Sequence, residues 1–132
     1  AAVTVVVAEQ HTVNFTNNCA SGTPKLRAQD GKVLHSGGGS YTHPSALIGA
    51  IAYLQTGPCG ANAENCPLIE TTLRNPPSPG QGSSTDISLI PPHKFTKGVR
   101  FEYQNGCDGQ GKTCKSADCK TAFHEKDDYG AQ

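Results

Sequence analysis

Lys25-Leu26-Arg27-Ala28-Gln29-Asp30-Gly31-Lys32-Val33-Leu34-His35-Ser36 decides the fold class. Asp and Gly adopt positive φ with little strain, so Asp30-Gly31 predicts a two-residue type I′ turn joining strands over residues 25–29 and 32–36. Strand patterning continues outward from this hairpin. Residues 11–16 alternate, with Val13 and Phe15 facing inward and Thr12, Asn14 and Thr16 facing water. Residues 3–8 are β-branched and read as a buried strand. Residues 68–73, 86–90 and 99–103 complete the strand set. Residues 45–55 are ambiguous: Ala and Leu suit a helix, whereas Gly49 and the Ile51–Tyr53 alternation suit a strand, at least in the second half.

Between these runs, residues 37–40 (Gly-Gly-Gly-Ser) predict a flexible loop, and the Pro- and Gly-rich residues 76–84 an exposed connection. Ser116 is a candidate N-cap for a short helix over residues 117–125, with Asp118 in its first turn. The expected architecture is one β-dominated α+β domain, an antiparallel sheet flanked by short helices and stapled by disulfides. Composition agrees with many turns between short strands: 132 residues hold 15 Gly and 9 Pro, with no Met or Trp.

Eleven basic residues balance eleven acidic ones, so no net field recruits nucleic acid or an anionic membrane. Lys112, Lys115, Lys120 and Lys126 alternate with Asp108, Asp118, Glu125, Asp127 and Asp128, which describes a mixed-charge wet surface. The opening apolar run lacks a basic flank and is too short for a signal peptide or membrane span, and reads as the start of a mature chain. Six cysteines (Cys19, Cys59, Cys66, Cys107, Cys114 and Cys119) form an even set in a short chain, which points to three disulfides and an oxidising, extracellular compartment. Zinc is the rival reading, because Cys114 and Cys119 lie near His124; no Cys-x-x-Cys knuckle exists to support it. Cys59 with Cys66 is the favoured pair, since Gly60, Asn62 and Asn65 between them suit a tight loop. Asn14-Phe15-Thr16 is a glycosylation sequon on the outward face of its strand. No cofactor motif is present.

Four runs carry a family resemblance. They are His11-Thr12-Val13-Asn14-Phe15-Thr16-Asn17-Asn18-Cys19, Ala50-Ile51-Ala52-Tyr53-Leu54-Gln55-Thr56-Gly57, Ser84-Thr85-Asp86-Ile87-Ser88-Leu89-Ile90-Pro91-Pro92-His93 and Asn105-Gly106-Cys107-Asp108-Gly109-Gln110-Gly111. Together they resemble the small secreted glycopeptide-type proteins and glycan-binding lectins of mushrooms. The resemblance implies an αβα sandwich that binds fucosylated LacdiNAc-type glycans (N-acetylgalactosamine linked to fucosylated N-acetylglucosamine) on glycoproteins. A fainter likeness, to thaumatin-like proteins, runs through Leu68-Ile69-Glu70-Thr71-Thr72-Leu73 and Asp86-Ile87-Ser88-Leu89. It implies a β-sandwich with an acidic cleft at Glu70 and Asp86.

Sugar binding needs planar hydrogen-bonding groups beside an apolar face, because a pyranose carries hydroxyls on its rim and C–H groups on its flat side. Two predicted loops supply such groups: Asn105, Asp108 and Gln110 in one, Tyr41 and His43 in the other. The same Asn105-Gly106 pair also reads as plain turn chemistry. Phe101 and Tyr103 alternate with Arg100 and Glu102 and are expected in the core. Two catalytic sets compete with the lectin reading. Glu70 and Asp86 have the composition of a glycosidase pair. His43, Glu70, Arg100 and His93 are residue types that a secreted ribonuclease uses.

Overall fold

The computed structural model describes residues 9–131; the strand expected over residues 3–8 lies outside them. Ten strands are present: β1 His11–Phe15, β2 Thr23–Arg27, β3 Val33–Ser36, β4 Gly39–His43, β5 Leu47–Gln55, β6 Leu68–Leu73, β7 Ser84–Ser88, β8 Val99–Glu102, β9 Gly111–Cys114 and β10 Ala122–Phe123. Of the described residues, 40% are strand and 2% helix, the latter a single 3₁₀ turn at Tyr129–Ala131. The β-dominated, disulfide-stapled expectation holds. Helices flanking the sheet do not appear among the described residues.

Six strands form one sheet in the order β10-β7-β6-β5-β2-β3, with β1–β4 and β8–β9 as separate two-stranded ribbons. All sheet neighbours are antiparallel except β10 and β7. β5 is strand over its full length, because it pairs on both sides, with β2 and with β6. Tertiary pairing there overrides the helix propensity of its Ala and Leu residues.

Register assigns the two faces. Leu26, Ala52, Ile69, Ile87 and Ala122 align across successive strands and share one face. Both ribbons cover that face. Val13, Phe15 and Tyr41 of β1–β4 pack on Leu26, Leu47, Ala50 and Ala52. Val99 and Phe101 of β8–β9 pack on Ile87, Leu89, Cys114 and Ala122. Ile69 touches both groups. Where the mushroom resemblance implied helices and the thaumatin likeness a second full sheet, two short ribbons close this face. On the opposite face the loop of residues 59–66 places Ala63 on Tyr53 and Leu68.

Several expectations need correction. Residues 117–125 do not form a helix: the Cys114–Cys119 disulfide closes a loop too tight for one, and Ala122 and Phe123 pair with Ile87 and Ser88. The hairpin at Asp30-Gly31 closes on Ala28 and Lys32 (Ala28 N–H to Lys32 O, 2.8 Å), so its loop has one more residue than a type I′ turn. Gly31 N–H donates to Ala28 O and Gly31 takes φ 91°, which is a three-residue turn ending in a left-handed Gly. Of three expected disulfides two form, the favoured Cys59–Cys66 and Cys114–Cys119. Cys19 and Cys107 are free thiols, one after β1 and the other between β8 and β9.

Candidate functional site

β4 is the strand the Gly-rich sequence concealed. Residues 39–40 belong to it, and Tyr41 and His43 stand on a strand rather than in a loop. Pairing with β1 sets Val13 against Tyr41 and His11 against His43. Thr12–Thr42 and Asn14–Ser40 side-chain hydrogen bonds lace the outer surface of the ribbon, which leaves Asn14 exposed. The inner surface carries a row of rings. Phe15 stacks on His35 at 5.7 Å, His35 meets Tyr41 at 6.2 Å, and Tyr41 meets His43 at 5.9 Å. Tyr41 is therefore half-buried, packed against the core. Its hydroxyl reaches His43 Nδ1 at 2.8 Å.

His43 borders a cleft of about 440 Å³ whose other walls are Ala28, Gln29, Asp30, Ala46, Leu47 and Ile48. Two backbone irregularities build it. The three-residue turn after β2 lifts Gln29 and Asp30 above the sheet. In β5 a bulge between Leu47 and Ala50 breaks the register with β6, with Gly49 at φ 63° and its N–H donated to Thr72 Oγ1. A Cβ at Gly49 would stand 3.1 Å from the Gln29 side chain, so the bare glycine lets Gln29 lie across the bulge. Asp30 Oδ1 accepts from Lys32 N–H at 3.0 Å, which fixes the carboxylate and leaves Oδ2 without a partner among the described residues. Ile48 is 43% exposed and supplies apolar surface beside these polar groups.

The other predicted loop lies elsewhere. Asn105, Asp108 and Gln110 form the exposed tip between β8 and β9. Asn105, Gly106, Cys107 and Gly109 all take positive φ, Asp108 Oδ1 accepts from Gly106 N–H at 2.6 Å, and Gln110 N–H donates to Cys107 O. That is turn chemistry. Among the described residues no hydrogen bond or ring contact joins this tip to Tyr41 or His43. Phe101 packs in the core as expected; Tyr103 is half-buried and donates its hydroxyl to Thr85 at 2.7 Å.

The carboxylate pair does meet. Glu70 and Asp86 are direct cross-strand partners on β6 and β7, on the face away from the ribbons. Burial, reinforced by the adjacent Glu70 charge and opposed by Lys112, pushes Asp86 up to about 6. The four-residue ribonuclease set stays dispersed. His93 Nδ1 is tied to Ala63 O, Arg100 pairs at the surface with Glu102, and His43 lies across the sheet from Glu70. Among the described residues no three His, Cys, Asp or Glu side chains are grouped to hold a metal.

No protein-family model, curated protein or solved structure matches the chain. Gln29, Asp30 and Ile48 were missed as candidate site residues. Asp30-Gly31 marked the turn, but the cleft beside it depends on the β5 bulge, for which Gly49 was the sole local signal.

Proposed function

We propose that the protein is a secreted lectin that binds N-acetylhexosamine-containing glycans, of the fucosylated LacdiNAc type, without altering them. The cleft beside His43 is the observation that carries this reading. It sets a carboxylate, an amide and an imidazole around the exposed apolar side chain of Ile48, which suits the hydroxyl rim and C–H face of a pyranose. The likeness to mushroom lectins supports the glycan class, and two disulfides with no helix long and apolar enough to cross a membrane among the described residues are compatible with an extracellular setting. The test is a glycan array followed by mass measurement of the bound ligand. Selective retention of N-acetylhexosamine structures at unchanged mass is the expected result.

A second reading, a secreted hydrolase, is favoured by one observation: Glu70 and Asp86 stand side by side, and Asp86 titrates near 6, in the range of a general acid. Released fragments that disappear in Glu70→Gln and Asp86→Asn variants would replace the lectin reading with this one.

A further inference from the structure

Tyr41 and His43 lie two residues apart on the same side of β4, with the phenol oxygen 2.8 Å from Nδ1. Between a phenol and a neutral imidazole, the bare ring nitrogen is the better acceptor and the phenol O–H the better donor. Tyr41 has no other hydrogen bond among the described residues. The phenol therefore donates to Nδ1, and the one proton of the neutral ring resides on Nε2. That nitrogen has no protein partner among the described residues, although His43 lines the cleft together with Gln29 and Asp30.

We infer that Tyr41 is a positioning residue: its hydroxyl bond locks His43 as the Nε2–H tautomer, so that the cleft presents a fixed N–H donor alongside the Asp30 carboxylate. The inference rests on the glycan reading for its ligand. A donor next to a carboxylate acceptor selects a saccharide edge that offers the complementary pair, an acceptor beside a hydroxyl. An acetamido sugar has that edge, with the amide carbonyl at C2 and a hydroxyl at C3. A plain hexose offers only a weaker hydroxyl oxygen in place of the carbonyl. Were the proton on Nδ1, the lone pair of Nε2 would meet the carbonyl and the preference would vanish. Strand placement keeps the arrangement stiff, since Tyr41 is held between His35 and His43 and opposite Val13.

The test uses Tyr41→Phe, which keeps the ring in its packing site and removes only the hydroxyl. Long-range ¹H–¹⁵N correlation spectra of the native protein, recorded with His43 uncharged, should show Nε2–H alone in the wild type and a tautomer mixture in the variant. Titration with N-acetylgalactosamine and with galactose should show an affinity ratio that falls about tenfold in the variant, the worth of one hydrogen bond, at an unchanged melting temperature. Identical tautomer populations in the two proteins overturn the inference, and so does an unchanged ratio. If the wild type binds neither sugar, the glycan reading fails, and the tautomer spectra alone decide the role of Tyr41.

Discussion

The two ribbons on the covered face are built alike and end differently. β1–β4 alternates cleanly, ties its outer surface with Thr12–Thr42 and Asn14–Ser40, and spends its inner surface on Phe15, Tyr41 and His43. β8–β9 buries Val99 and Phe101 beneath it and then runs into a tip where Asn105, Gly106, Cys107 and Gly109 hold positive φ. In the first ribbon Tyr41 and His43 fix each other along one strand. In the second the Asp108 carboxylate serves the turn at the tip. Groups of the same chemical type thus line a cleft in one place and serve as turn scaffolding in the other. The backbone that carries them makes the difference.

Five substitutions test this contrast, the largest effect first. Phe15→Ala and Phe101→Ala remove the ring beneath each ribbon and should each destabilise the protein by about 3 kcal/mol in denaturant unfolding. A much smaller loss for Phe101→Ala would mean that the second ribbon is only loosely docked. Next, Asp30→Ala should weaken glycan binding about tenfold or more, because a carboxylate–hydroxyl hydrogen bond is worth roughly 1.5–3 kcal/mol. Asp108→Ala should leave affinity within about twofold, since that carboxylate is committed to Gly106 N–H. The reverse order in calorimetry would move the site to the tip. The smallest effect concerns Asp86, whose pKa β9 holds back through Lys112. Its pKa is raised from 3.8 to about 6, so the folded protein binds more protons than the unfolded chain between those values. Stability should therefore rise as pH falls through 6 toward 4, and fall as pH climbs back. The group is only half-buried, so solvent screening limits the change to about 1 kcal/mol. Asp86→Asn should stabilise the protein at pH 7 by a similar amount and flatten the profile; an unchanged profile would show that Asp86 is well solvated.

Local chemistry made β1, β2, β3, β6, β7 and β8 legible, because alternation and Asp30-Gly31 encode period and reversal within a few residues. It also made the Cys59–Cys66 loop legible. β4 was hidden because Gly39 and Ser40 have poor strand propensity and become strand only when Phe15 and Asn14 pair with them. β10 was mistaken for helix because Ser116, Ala117 and Asp118 resemble a helix start, while the disulfide and the β7 edge that override it are tertiary. The candidate site was half legible. Tyr41 and His43 were identified by residue type, and both were assigned to the wrong kind of backbone. Gln29 and Asp30 looked like turn residues and nothing more, since only the β5 bulge and the folded ribbon bring His43 to them.

The parallel strand β10 bears on the order in which the molecule can be assembled. Every antiparallel neighbour in the sheet has been synthesised once β7 is complete, yet the outer edge of β7 stays open until Ala122 and Phe123 return to it, after the whole β8–β9 ribbon. A nascent or truncated chain therefore carries an unsealed strand edge beside Ile87, a natural template for pairing with a second chain. Removing residues after the Cys114–Cys119 loop would take away two short strand residues and, with them, the cover that keeps one copy from growing onto the next.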